Sequence, residues 1–226
     1  MIMEIPRKTM LSVLPRVFCC IVIVVSALAA QTLPERRAFW DDVFRNGKVA
    51  FNKDASKLLQ YAVWDRKPGT AIDLGMGEGR NAVFLASKGW QVTGVDFSEE
   101  AVKQAKARAS AAHLPLTAVI DDLDHFDLGR SKWDLIALFY MHAWFHESKL
   151  DVPQRLMDAL RPGGLLLIEG YAGDKGDYQT DELLRDFSDL KITHYEDVSD
   201  EADWNPGRKS RIVRFIAEKP TLDLGK

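Results

Sequence analysis

The richest chemistry lies in one stretch, Ala71-Ile72-Asp73-Leu74-Gly75-Met76-Gly77-Glu78-Gly79-Arg80-Asn81. Gly75, Gly77 and Gly79 alternate, so the backbone can pass close beneath a bound molecule where a Cβ would clash. The spacing is G-x-G-x-G, not the G-x-G-x-x-G of dinucleotide sites. Asp73 precedes the first glycine by two residues; its carboxylate would repel a pyrophosphate but suits a cation. Asp96 closes the next apolar run, Gln91–Asp96, where open α/β folds hydrogen-bond ribose hydroxyls. Together these residues call for a ligand with a ribose, a positive charge and no phosphate.

The elements that must position them alternate. Strand patterns cover Thr70–Leu74, Gln91–Asp96, Leu116–Ile120, Trp133–Phe139, Leu165–Tyr171, Lys191–Asp197 and Arg211–Glu218. Helical patterns cover Glu35–Arg45, Asp54–Trp64, Arg80–Lys88, Glu99–Ala112, Lys149–Leu160 and Thr180–Phe187, with Ser98 placed as a cap. Arg161-Pro162-Gly163-Gly164 reads as a breaker, and Ser199–Ser210 as a Pro/Gly-containing loop. Strand–helix alternation predicts a Rossmann-like α/β domain: a doubly wound, seven-stranded, mostly parallel sheet with helices on both faces. The last two strands, with no helix between them, should pair antiparallel at one edge.

These residues resemble the class I S-adenosylmethionine-dependent methyltransferases over about Phe39–Glu218. IDLGMGEGRNAVFLA is similar to the family's first motif and VTGVDFS, with Asp96 and Phe97, to its second. VIDDLD (Val119–Asp124) is similar to the adenine-contacting segment, favouring Asp122 and Leu123, and LRPGGLLLIEGY to the fifth-strand motif. Met76 stands where many relatives have Cys. The resemblance implies S-adenosylmethionine as cofactor, held by Asp73, Gly75, Gly77, Gly79, Asp96, Phe97, Asp122 and Leu123. Within the family, FWDDVFRNGKVAFNKDASKLL and GEGRNAVFLA look most like the tellurite-resistance and thiopurine-type small-molecule enzymes. That group implies an aromatic lid, here Trp40, Phe44 and Phe51, excluding water; the alternative is that these are ordinary apolar-face residues.

The fourth strand ends Phe139-Tyr140-Met141-His142, without the Asn/Asp-Pro-Pro-Tyr/Phe signature of nucleic-acid amino-methylating enzymes. A small-molecule acceptor follows, with a thiol, metalloid oxyanion or similar soft group favoured. His142 is the candidate general base, with Tyr140 beside it; Tyr171, Arg80 and His146 are candidates for acceptor contact. His142 and His146, four apart, would share one face of a short helix. They could equally be histidines that merely line a pocket. No metal site is expected, since the pair lacks a third ligand.

Composition narrows the rest. The chain has 226 residues, 46% hydrophobic and 28% charged, values of an ordinary globular protein. Residues 1–30 hold Arg7, Lys8, Arg16 and Glu4; taking these from 30 basic and 33 acidic residues leaves 27 and 32, a net charge of −5. Such an acidic body is unsuited to nucleic-acid phosphate. Both cysteines, Cys19 and Cys20, lie in the apolar run Val17–Ala29, so the folded body has no thiol nucleophile or disulfide. Basic residues, a short apolar run and Ala27-Leu28-Ala29 make residues 1–29 a signal peptide or membrane tether, ahead of a single domain at 30–226 whose lid segment is 31–66. The protein is then exported or tethered, with membrane contact only through residues 17–29; a start assigned too far upstream would make it cytoplasmic. Two other classes fit less well: a non-catalytic S-adenosylmethionine-binding envelope protein, and an NAD-dependent oxidoreductase, which Asp73 opposes.

Overall fold

The computed structural model describes residues 32–47, 49, 51–173, 176–203 and 205–221. The segment read as a leader, residues 1–29, lies outside them. In chain order the elements are α1 (Leu33–Asn46), α2 (Lys57–Ala62), β1 (Thr70–Leu74), α3 (Arg80–Ser87), β2 (Gln91–Asp96), α4 (Glu99–Ala111) and β3 (Thr117–Ile120). There follow β4 (Trp133–Phe139), α5 (His142–Glu147), α6 (Val152–Ala159), β5 (Leu160–Tyr171), α7 (Glu182–Asp186), β6 (Lys191–Ala202) and β7 (Asn205–Glu218). The strands form one seven-stranded sheet, ordered β3-β2-β1-β4-β5-β7-β6. The mostly parallel sheet and the antiparallel pairing of the last two strands were expected; the insertion of β7 between β5 and β6 was not.

β1 pairs parallel with both β2 and β4, and β4 with β5; β7 runs antiparallel to β5 and to β6. The chain leaves β1 toward β2 and returns to β4 on the other side, so a crevice opens at the carboxyl ends of β1 and β4. The glycine loop leaves one of those ends and Tyr140–His142 the other.

Period-two alternation gives the sheet two apolar faces. Ala71, Leu135, Ala137, Leu165 and Leu167 pack against Leu58 and Leu59 of α2 and Ala82 and Leu85 of α3. Ile72, Ile136, Leu138, Leu166 and Ile168 pack against Phe145 of α5, Leu156 of α6 and Leu183 of α7. Each fully buried Leu or Ile contributes about 1.5–3 kcal/mol relative to exposure. The two alternating series also fix which polar residues share a face. Asp73 follows Ala71, and Glu169 follows Leu165 and Leu167, so both carboxylates face α2 and α3.

Caps match the sequence where a side chain can act locally. The Ser98 hydroxyl accepts from the Ala101 amide at 3.1 Å; at the start of α1 the Thr32 amide and hydroxyl both donate to the Glu35 carboxylate, at 2.7 and 2.8 Å. Two boundaries differ. Arg161–Gly164 does end α6, but the chain stays extended: Leu160 pairs with Trp133 before a register shift, and Gly163 takes a left-handed φ of +77°. Most of Ser199–Ser210, read as a loop, extends the β6–β7 hairpin, with a bulge between Glu201 and Ala202. Cross-strand ion pairs support this extension: Arg211 with Asp197 at 2.6 Å and Arg214 with Asp200 at 2.9 Å.

Gly79 carries the tightest helix contact. It caps α3 at φ +77°, and a Cβ there would lie 2.8 Å from the Ala105 Cβ of α4. Gly79→Ala should therefore cost about 1–3 kcal/mol through strain and overpacking. Urea unfolding should show a lower midpoint with an unchanged slope.

Candidate functional site

Three short connections build the site. After β1, Gly75 and Gly77 take left-handed φ values of +70° and +54°, conformations that suit glycine. The Gly75 and Met76 amides both donate to the Val95 carbonyl of β2, at 2.9 and 3.1 Å. Met141 lies directly against Gly75, leaving no room for a side chain there, so the loop after β4 packs on the loop after β1. Met76 is buried over Gly94 and packs with Val102 and Ala105, a filling role and not a chemical one.

Asp73 is 2% exposed, and its Oδ2 has no hydrogen-bond partner. Burial pushes its carboxyl up to about 7, against the pull of Arg80. Asp96 is also buried, and both oxygens are occupied: Oδ2 accepts from the Gly77 amide and Oδ1 from the Ser98 amide, each at 2.9 Å. Burial raises it to about 6, and the two amides oppose the rise. Each oxygen keeps a second lone pair for a hydroxyl donor. The loop after β3 starts beside them, the Asp121 amide donating to the Asp96 carbonyl at 3.2 Å. Asp122 is half-buried and accepts from the Asp124 amide at 3.0 Å; Leu123 is buried and Phe97 half-buried. The Arg155 guanidinium holds this loop, donating to the Leu123 and Phe126 carbonyls at 3.1 and 2.9 Å.

The aromatic residues read as a lid form a stack. Trp40 and Phe44 lie 5.9 Å apart between centroids, Phe44 and Phe51 5.4 Å. Phe44 faces Gly77, where a Cβ would meet its ring at 3.4 Å. Two side chains that the sequence reading passed over dock this segment. Asp41 accepts from the Ser98 hydroxyl at 2.6 Å and the Glu100 amide at 3.0 Å, at the positive end of α4. Gln104 donates to the Phe44 carbonyl at 2.9 Å. Glu78, inside the glycine loop, takes Lys53 at 2.6 Å and Arg108 at 3.5 Å.

At the acceptor end, Tyr140 has φ +58°, a strained conformation for a bulky residue. Its hydroxyl donates to Glu169 Oε1 at 2.5 Å. Glu169 is fully buried, and its Oε2 lacks a hydrogen-bond donor, although Arg214 Nε lies 3.4 Å away. Neither Glu169 nor Arg214 was singled out in the sequence. The signal was there: a lone acid in LLLIEGY and a lone base in IVRFIA, both inside apolar strands. Arg80 donates to the Asp54 carbonyl at 2.9 Å and the Asp203 carbonyl at 3.4 Å. Its charge acts on both Asp73 and Glu169, so it lies between the two ends of the site.

The histidines do share one face of α5, both edge-on to Tyr178 at 6.2 and 5.6 Å. His142 Nε2 lies 3.5 Å from Asp177, its Nδ1 is buried without a partner, and burial lowers it to about 4. It stays neutral at physiological pH and stands as a wall beside Tyr171, 5.7 Å away. His146 is held between the Gly176 carbonyl and Glu182, at 3.3 and 2.8 Å. Tyr171 packs edge-on to Tyr140 at 5.5 Å. Among the described residues no group of three His, Cys, Asp or Glu could hold a metal ion.

Residues 71–164 match the family model of a methyltransferase domain. The fold is shared with TehB from Haemophilus influenzae, at a TM-score of 0.63 and 19% identity over 71% of this chain and 61% of that one. Among relatives, Hemagglutinin 1 of Eikenella corrodens is 29% identical over 72% of this chain and 58% of its own length. A ribosomal RNA small subunit methyltransferase C of Alcanivorax borkumensis is 34% identical over 55% of this chain and 39% of its own. The chain thus spans between about two fifths and three fifths of these relatives. Residues 71–164 are thus similar to methyltransferase domains, the fold is that of class I S-adenosylmethionine-dependent methyltransferases, and S-adenosylmethionine is the cofactor. The residues present fit that cofactor, since the unpartnered Asp73 oxygen suits its cationic portion.

That fit has a pH signature. In the free protein Asp73, raised to about 7, binds its proton more tightly than in the unfolded chain. Its contribution to stability is therefore greatest at low pH and is lost as pH rises from about 4 to about 7. A cation beside Asp73 reverses the preference, so S-adenosylmethionine affinity should climb between pH 5.5 and 7.5, by at most about tenfold per unit. Calorimetry in two buffers should show proton release on binding at pH 6. Asp73→Asn should abolish both the slope and the release.

Proposed function

We propose that this protein transfers the methyl group of S-adenosylmethionine to a small, soft acceptor, with a neutral thiol the best fit. Asp73, the glycine loop, Asp96 and Phe97, with Asp122 and Leu123, would hold the donor. One observation carries the acceptor reading: the acidic lining at the ends of β5, β6 and β7. Arg214 is already shared by Glu169, Glu196 and Asp200, at 3.4, 3.0 and 2.9 Å, and buried Asp203 adds a further acid. Little positive charge is left over for an anion, so a neutral thiol suits the lining better than a metalloid oxyanion. The same acidity, with the body's net charge of −5, opposes RNA.

S-adenosylmethionine supplies an electrophilic methyl group, so the chain's own task is placement and exclusion of water. Trp40, Phe44 and Phe51 would close over the donor, and Tyr140, His142 and Tyr171 would wall the acceptor. Full-length protein offered labelled donor with thiols, halides, selenite, tellurite, phenols and small-subunit ribosomal RNA should label thiols. Label on RNA, or on oxyanions but not thiols, would overturn the reading.

The leader reading of residues 1–29, with 30–226 as the enzyme and 31–66 as its lid segment, we also put forward as a proposal. Amino-terminal sequencing of protein recovered from the envelope fraction should begin near residue 30.

A further inference from the structure

Glu169 is a fully buried acid beside the wall of the acceptor end. Glu169 sits on the sheet face shared with Asp73, two strands away across β4. Its cross-strand neighbour is Arg214, and Phe139, the residue before Tyr140, pairs with it on the other side. The Tyr140 amide donates to the Glu169 carbonyl at 2.6 Å, and the Tyr140 hydroxyl donates to the Glu169 carboxylate. Two bonds to one residue explain how the left-handed backbone at Tyr140 is held. Tyr140 itself is only half-buried, and its ring packs edge-on to Tyr171 at the acceptor end.

We propose that Tyr140 and Glu169 form a proton relay that receives the proton of a neutral X–H acceptor as it is methylated. This rests on the thiol reading above and makes a proton on the acceptor a requirement for efficient turnover. The acceptor's S–H bond breaks as its sulfur–carbon bond forms and the donor's carbon–sulfonium bond breaks. The thiol proton passes to the Tyr140 oxygen while the Tyr140 proton passes to Glu169, and S-adenosylhomocysteine leaves neutral. Tyr140 touches the acceptor and is the catalytic residue; Glu169 acts through it.

The groups facing Glu169 agree with this role. Burial raises its carboxyl, as does Asp203, while Tyr140, Arg214 and Arg80 lower it. The result is a carboxylate better able to hold a proton than one in water. Burial and Glu169 push the Tyr140 phenol far above its usual range, so no tyrosinate accumulates and the two transfers occur together. His142, lowered to about 4 and packed against Tyr171 and Tyr178, is a poorer proton acceptor.

The test uses full-length protein, with Glu169→Gln and Tyr140→Phe as separate variants, since Tyr140→Phe leaves the Glu169–Arg214 pair intact if the first fails to fold. Both should bind S-adenosylhomocysteine within about twofold of native. Thiol methylation should fall by ~10²–10³-fold in kcat at pH 7. The remaining rate should rise with pH toward the thiol's own ionisation, and the double variant should lose little more. Independently of turnover, an aliphatic thiol, protonated in solution at pH 7, is added to the S-adenosylhomocysteine complex and its ultraviolet thiolate absorbance read with calorimetry in two buffers. Native protein should show thiolate with no proton released to buffer; Glu169→Gln should leave the thiol un-ionised. A native rate and native pH profile in Glu169→Gln, or equal thiolate absorbance in both proteins, would overturn the relay. Failure of the native complex to bind or methylate any thiol would remove the acceptor reading, and the relay with it.

Discussion

A carboxylate oxygen removed from water without a donor to replace it opposes folding by about 1–3 kcal/mol, more when it is ionised. This fold holds two such oxygens on one sheet face, Asp73 Oδ2 and Glu169 Oε2. The layout of the site follows from that constraint. Arg80 at the start of α3 lies within electrostatic reach of both, and Arg214 stands across from Glu169. The strand order brings both acids to the carboxyl ends of β1 and β5, either side of β4, where a ligand can complete what the protein leaves incomplete. Asp96, by contrast, is satisfied by two amides that fix its carboxylate in place.

The aromatic segment of Trp40, Phe44 and Phe51 is held by a different kind of interaction. Asp41 at the start of α4 and Gln104 on the Phe44 carbonyl use hydrogen bonds at partly buried positions. Lys53 on Glu78 is an ion pair with its ammonium well exposed, of a kind that contributes about 0–1 kcal/mol. The aromatic stack adds area without locking geometry. Few, weak and separable contacts of this kind are compatible with the lid role proposed for the segment.

What the sequence discloses follows the range of the forces involved. Gly75, Gly77, Gly79 and Asp73 stand within seven residues, and their meaning is local, so both the loop and its ligand charge were readable. Ser98 as a cap was readable for the same reason. The pairing of Glu169 with Tyr140, 29 residues earlier, depends on sheet register, which no local pattern reports. His142 stood out in the sequence because imidazole is versatile, yet its surroundings lower its basicity, and burial of that kind is a tertiary property. Asp41 was overlooked because an acid on a helix usually faces solvent. The loop read at Ser199–Ser210 failed because Pro206 and Gly207 are tolerated in an outer hairpin that cross-strand charges hold together.

The place of β7 has a consequence for how the molecule comes into being. It follows β6 in the chain but lies inside it in the sheet, so β5 keeps an open edge until β7 arrives. During synthesis the donor half, β1 to β4, can pair as each strand emerges. Arg214 reaches Glu169 only after β6 and most of β7 have left the ribosome. Until then an acid is stranded on an unpaired, apolar strand, LLLIEGY, the sort of edge that invites association with other chains. Closure of the long β6–β7 hairpin onto β5 is thus the topological step that covers this apolar edge.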